Sequence, residues 1–146
     1  PGVTFDVVGA RPPRQLRALA ARRPGINVVG YVDDPTPYLE RAGVMVVPLR
    51  AAGGMRVKIL NALAQGVPIV STRVGCEGIA VTAGVDALIA DDARAFADAV
   101  LRLLGDPELG ERLARNGRRL VEDRYDLRHA QQSLDAVYDA LLFEHR

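Results

Sequence analysis

Over its first ninety residues the chain alternates short, nearly continuous apolar runs with amphipathic stretches, and this rhythm restricts the fold more than any other feature. VTFDVVG (3–9), INVVGYV (26–32), GVMVVPL (43–49) and VPIVST (67–72) are rich in Val and Ile and lack the polar alternation of a half-wet strand. Such strands belong to parallel sheets covered by helices on both faces. Between them, RQLRALAARR (14–23) repeats Leu16, Leu19 and Ala20 at helical spacing. DDPTPYLERA (33–42) offers Asp34 as N-cap and Pro35 as first helical residue, and MRVKILNALAQG (55–66) ends on a helix-closing Gly66. Short edge strands are expected at IAVT (79–82) and ALIAD (87–91).

Three helices follow. ARAFADAVLRLLG (93–105) sets Phe96, Val100, Leu103 and Leu104 on one stripe. PELGERLARNGRRLVEDRY (107–125) starts at Pro107 and turns Leu109, Leu113 and Leu120 inward. DLRHAQQSLDAVYDALLFEHR (126–146) carries Leu127, Leu134, Val137, Tyr138, Leu141 and Leu142. The expected fold class is α/β, a doubly wound, Rossmann-like parallel sheet followed by three helices, with all 146 residues in one domain.

In such folds ligands sit outside the carboxyl ends of the strands. The segments leaving those ends are Gly9–Arg11, Tyr31–Asp33, Pro48–Gly54 and Thr72–Gly78. The third is unusual. No Ser, Thr, Asp or Asn caps the helix that begins near Met55; Gly53 and Gly54 precede it, and Arg56 and Lys58 stand in its first turn. A helix N-terminus carries partial positive charge and unpaired N–H groups, so cations there are the wrong sign. An anion resolves the conflict. The glycines admit a close backbone approach, the N–H groups of Gly54, Met55 and Arg56 point at phosphate oxygens, and Arg56 and Lys58 supply a fork and a point charge. The bland alternative is a pair of surface cations after a flexible loop. The loop is no P-loop, and GARPPR after the first strand is no dinucleotide fingerprint.

Composition narrows the partners. Net charge is +1, which argues against a dedicated nucleic-acid binder. Arginine is dense near residues 11–23 and again near 112–128, read as solvated faces or, more sharply, as contacts for an anionic surface. Cys76 is the single cysteine, so no internal disulfide forms, which fits a reducing, cytoplasmic setting. No stretch reaches transmembrane length, no metal-ligand cluster stands out, and no cofactor is implied. The chain opens in a strand-like segment without a leader, which suggests a piece of something longer.

PLRAAGGMRVKILNALAQGVPIVSTRVGCEGI resembles the nucleotide-sugar-binding segment of group 1 glycosyltransferases, the retaining GT-B enzymes of the family 4 type. That family shows a glycine-rich loop, Arg-x-Lys, an apolar helix, Gly-x-Pro-Val-Val and Gly-x-Glu-Gly. VVG, NVVGYVDD, PYLERAGVMVVPL, DDARAFADAVLRLLGDPEL and RRLVEDRYDL resemble its neighbouring elements in the same order. The resemblance implies the donor-binding half of an enzyme that moves a sugar from a nucleoside diphosphate sugar to an acceptor hydroxyl, with surface glycan synthesis as setting. Arg56 and Lys58 would stabilise the leaving diphosphate, the Gly53, Gly54 and Met55 backbone would cradle it, Asn61 would hold the ribose, Val32 would border the base and Glu77 would approach the sugar and phosphates.

Two departures matter. The family pairs two Glu residues at positions that fall here on Gly53 and Asn61. Asn61 keeps a carbonyl acceptor and loses the charge, which weakens a ribose contact. The family's domain also begins one strand earlier, with an Arg and a Lys after that strand, and is preceded by an N-terminal domain that holds a glycan or lipid-linked acceptor. The chain alone is therefore expected to be inactive, peripheral to the membrane at most as part of the full enzyme, with the terminal helix free to pack on the absent domain or to form a homodimer. The alternatives are a non-catalytic phosphate- or nucleotide-binding module and, with no place for its catalytic His and carboxylates, an epimerase of GT-B shape. Asp33 and Asp34 read as helix-capping residues, Cys76 as a small buried residue, and His129 and His145 as structural or solvent-facing.

Overall fold

The apolar runs form strands and the amphipathic stretches form helices, though each strand is shorter than its run. The computed structural model describes residues 2–51 and 53–126. It divides into two compact units, Pro1–Arg41 and Ala42–Arg146. The helix expected over 126–146, with Tyr138, Phe143, His129 and His145, lies outside the described residues from 127 onward.

In the first unit, strand β1 (Phe5–Val8) leads through helix α1 (Arg14–Ala20) to strand β2 (Ile26–Gly30), and helix α2 (Thr36–Glu40) follows. The strands pair in parallel, Phe5 opposite Ile26 and Val7 opposite Val28, with the register slipping so that Val8 meets Gly30. Asp6 stands opposite Asn27 in this ladder. The Asn27 amide donates to its carboxylate at 2.7 Å, and the Arg41 guanidinium, 4.2 Å from the Tyr38 ring centre, adds a second bond at 3.2 Å. The expectation of fully buried strands fails here. Phe5 and Val29 are exposed and β2 alternates along its length, because a two-stranded ladder with two short helices leaves part of its surface uncovered. Leu19, placed at helical spacing with Leu16 and Ala20, is 45% exposed, and α1 ends at Ala20 rather than Arg23. α2 starts one residue later than expected, with Pro35 rather than Asp34 at the N-cap and Thr36 rather than Pro35 first in the helix; the Asp34 carboxylate still accepts from the Thr36 N–H at 2.9 Å.

The second unit holds the core. Strands β3 (Met45–Val47), β4 (Ile69–Ser71) and β5 (Leu88–Ile89) form a parallel sheet with β4 central and wholly buried. Helix α3 (Val57–Ala64) joins β3 to β4, and a short 3-10 turn (Val74–Cys76), helix α4 (Ala93–Gly105) and helix α5 (Pro107–Arg124) complete it. Val70, Leu103, Leu109 and Leu113 form one apolar cluster, flanked by Val44, Leu88, Phe96 and Val100. Leu104, placed on the inward stripe by the sequence, is instead 39% exposed. Caps set the helix starts. The Asp92 carboxylate accepts from the Arg94 and Ala95 N–H groups at 3.0 and 2.9 Å, and Asp106 accepts from Leu109 N–H at 3.0 Å ahead of Pro107.

IAVT (79–82) is not a strand. Its backbone turns on itself, Val81 N–H donating to Ile79 C=O at 2.7 Å, and Ala80 N–H donates to the Tyr125 hydroxyl at the end of α5. Those N–H groups are committed to a turn and a side chain, so no ladder forms there.

Candidate functional site

The carboxyl ends of β3 and β4 are tied together by one side chain. The Thr72 hydroxyl donates to Leu49 C=O at 2.5 Å and accepts from Gly75 N–H at 3.0 Å. Ser71, wholly buried beside it, donates to Thr72 C=O at 2.9 Å and more weakly to Val47 C=O at 3.4 Å. Gly75 closes against this brace: a Cβ there would meet Ser71 Oγ at 2.2 Å and Val47 C=O at 3.0 Å. The next turn reaches the third loop. A Cβ on Gly78 would lie 3.6 Å from the Met55 Cβ. Pro48–Gly54 and Thr72–Gly78, found in the sequence as separate ligand-edge loops, therefore come together where Met55 follows the first. Thr72 and Gly75 were not singled out from sequence; the only signal was a Ser-Thr-x-x-Gly spacing straight after an apolar strand.

Helix α3 starts two residues later than its sequence suggested. Arg56 is the N-cap, with extended-side dihedrals (φ −90°, ψ 85°) and no side-chain cap. Ile59 N–H already bonds to Arg56 C=O at 2.8 Å. The Val57 and Lys58 N–H groups have no partner among the described residues, and neither do those of Gly54, Met55 and Arg56, the donors named from the sequence. Gly54 adopts φ +75°, a left-handed backbone that favours glycine.

Arg56 folds back over its own loop. One guanidinium nitrogen, Nη1, donates to the carbonyls of Gly53 (2.6 Å) and Gly54. The other, Nη2, is buried and has no hydrogen-bond partner among the described residues. Burying an unpaired charged donor is costly, so this nitrogen calls for an acceptor. Lys58 is exposed and has no ion pair among the described residues. Of the nineteen cationic side chains in the chain it is the sole lysine, a sequence signal left unread above. A chain that uses Arg for every other cation has placed a compact point charge here.

Ile59, Ala62 and Leu63 form the buried face of α3. Asn61 is exposed, three residues after Lys58 and hence its neighbour on the outer face. Glu77 is exposed at the end of the 3-10 turn, next to Gly78. Beneath this turn lies an open cavity of about 510 Å³, lined among others by Arg73, Cys76, Glu77 and Asp91. Arg73 is already engaged, its N–H and Nε meeting the Asp91 carboxylate at 2.8 and 3.5 Å. Burial holds the Cys76 thiol above its ordinary pKa, opposed by a hydrogen bond with Ser71, so the thiol stays protonated and a poor nucleophile. Val32 belongs to the first unit, half-buried two residues past β2. The structure thus gathers Gly53, Gly54, Met55, Arg56, Lys58, Asn61 and Glu77 on one unit.

Among the described residues this edge offers helix N–H groups, a guanidinium nitrogen and an ammonium without partners, all of which are donors. No described helix is long and apolar enough to cross a membrane.

Comparison with known proteins bears on the fold and the family. Among solved structures, Anabaena Alr3699/HepE in complex with UDP superposes with a TM-score of 0.84 at 17% identity, covering 94% of this chain and 41% of that one. The same protein has also been solved with UDP-glucose. Sucrose-phosphate synthase from Thermosynechococcus elongatus superposes at 0.81 with 25% identity, over 95% of this chain and 38% of that one. These neighbours have the Rossmann-like GT-B architecture. The capsular polysaccharide biosynthesis glycosyltransferase CapM of Staphylococcus aureus is 28% identical over 125 residues, 84% of this chain and 33% of CapM. The chain thus spans about a third of the length of that curated relative. The family model described as "Glycosyl transferases group 1" matches residues 1–106, and the chain belongs to that family.

Proposed function

We propose that this chain is the donor-binding half of a retaining glycosyltransferase, and that the N-terminus of α3 takes the diphosphate of a nucleoside diphosphate sugar. The observation that carries the reading is the buried, partnerless Nη2 of Arg56 at a helix end whose Val57 and Lys58 N–H groups are also unpaired. A diphosphate supplies acceptors for all of them.

In the reaction the bond from the sugar's anomeric carbon to the diphosphate oxygen breaks, and negative charge grows on the departing diphosphate. Arg56 and Lys58 would stabilise that charge more strongly in the transition state than in the bound donor. The loop backbone through Gly53, Gly54 and Met55 would hold the phosphates in place, and Asn61, on the same outer face as Lys58, would accept from a ribose hydroxyl. Glu77 would approach the sugar and Val32 would border the base. The acceptor hydroxyl would come from a glycan or lipid-linked acceptor on another part of the full protein, and this chain by itself would bind without transferring.

A second reading, a non-catalytic nucleotide-binding module, is favoured by Asn61 alone, whose neutral amide replaces the family's carboxylate. Calorimetry with UDP, GDP and ADP tests the first. One diphosphate should bind, and Arg56→Ala with Lys58→Ala should abolish that binding. Unchanged affinity in the double variant would move the site elsewhere, and binding without transfer in the full-length protein would favour the module.

A further inference from the structure

Thr72 stands where the two loops of the α3 site meet, and its hydroxyl both donates and accepts there. It donates to Leu49 C=O at 2.5 Å and accepts from Gly75 N–H at 3.0 Å. Leu49 opens the loop that runs to Arg56, and Gly75 lies in the 3-10 turn that leads to Glu77 and Gly78. Only 6% of Thr72 is exposed, so water is poorly placed to replace either bond.

The loop has few other ties. From Leu49 to Met55, no other hydrogen bond joins it to the rest of the second unit among the described residues. The bonds that Arg56 Nη1 donates to the Gly53 and Gly54 carbonyls close the loop on itself. At its far end Met55 lies against Gly78, where an added Cβ would be 3.6 Å from the Met55 Cβ. The contacts form a closed circuit: Thr72 to Leu49, along the loop to Met55, across to Gly78, and back along the turn to Gly75 and Thr72.

One hydroxyl is the polar joint of that circuit. An apolar side chain of the same shape would fill the space and strand Leu49 C=O and Gly75 N–H. Loop and turn would then be free to part, and the Gly53–Lys58 segment would lose its fixed place. We propose that Thr72 is a positioning residue: its hydroxyl holds the glycine loop against the 3-10 turn and so sets the geometry of the α3 anion site. The consequence for binding rests on the diphosphate reading of that site; the loop geometry does not.

The test compares Thr72→Val, Thr72→Ser and a core truncation on α4, Leu103→Ala, in the full chain at a temperature where circular dichroism shows each folded. Thr72→Ala serves in place of the valine variant should that one not fold. Without ligand, isotope-labelled Thr72→Val should show displaced or broadened amide signals at Gly53, Gly54 and Val57, while Thr72→Ser and Leu103→Ala keep the wild-type positions. In calorimetry, Thr72→Val should weaken whichever of UDP, GDP or ADP the wild type binds by about tenfold, the scale of a lost buried hydrogen bond, with the other two variants within about threefold. If the wild type binds none of the three, the diphosphate reading falls, and displaced loop signals in Thr72→Val still support the brace. Unmoved loop signals in Thr72→Val, or unchanged affinity for a diphosphate the wild type binds, would overturn the proposal. Equal effects in Thr72→Ser would overturn it in favour of methyl packing, and equal effects in Leu103→Ala in favour of general destabilisation.

Discussion

Gly75→Ala strikes the joint between core and site. The new methyl would sit 2.2 Å from Ser71 Oγ, 3.0 Å from Val47 C=O and 3.1 Å from Val47 Cγ1. Neither neighbour yields easily. Val47 belongs to β3, and its carbonyl also accepts Thr72 N–H at 3.2 Å. Ser71 is wholly buried, so turning its hydroxyl aside forfeits the 2.9 Å bond to Thr72 C=O with no water to replace it. Overpacking costs about 1–3 kcal/mol and a stranded buried hydroxyl about 1–3 more, so about 3 kcal/mol is expected. For a chain of this size that lowers Tm by about 10 °C in a circular-dichroism melt. Ser71→Ala in the same chain removes the worst clash and should restore about half of the loss, the contact with Val47 C=O remaining. A fall of less than about 3 °C, or no rescue by Ser71→Ala, would refute the claim that Gly75 is held by close approach.

Other perturbations follow from the same geometry. Leu113→Ala empties a wholly buried position in the apolar cluster and should cost about 2–5 kcal/mol by urea denaturation. Lys58→Ala should raise the Tm of the unliganded chain by about 1–3 °C, by removing a cation from a helix N-terminus, while weakening diphosphate binding. Asn61→Glu should strengthen nucleoside diphosphate binding by about tenfold in calorimetry, a charged acceptor replacing a neutral one. Asp6 is held below its ordinary pKa first by Asn27 and then by Arg41, and Asp34 by the Thr36 bonds. Folded values lower than unfolded ones give stability that is present above about pH 4 and lost as pH falls through the folded values. Asp6→Asn should therefore destabilise the chain at pH 7 and leave its stability nearly unchanged well below pH 3, read from denaturant midpoints at each pH.

Helices α4 and α5 were legible because local chemistry decides them: Asp92 and Asp106 cap, Pro107 starts, and the apolar stripes are long. The parallel strands were legible from their Val- and Ile-rich runs. What failed was decided at longer range. Segment 79–82 has strand composition, but its Ala80 N–H is claimed by Tyr125, forty-five residues away. Leu19 and Leu104 fit an inward period, yet too little packs over them to bury them. At the site, the paired glycines and misplaced cations drew attention to α3. The shift of the helix start to Val57 depended on the Arg56 backbone, and Gly75 was silent because its reason is a neighbour from another strand.

The central claim, that a diphosphate sits on the N-terminus of α3, is tested most directly by amide chemical shifts. Isotope-labelled chain would be titrated with UDP, then with whichever of GDP or ADP binds if UDP does not. The account expects the largest movements at the Val57 and Lys58 amides, with smaller ones at Gly53 and Gly54 and a shift of the Arg56 guanidinium signal as Nη2 gains its acceptor. A saturable response centred on Arg73 and Asp91 or on the first unit, with Val57 and Lys58 still, would contradict it.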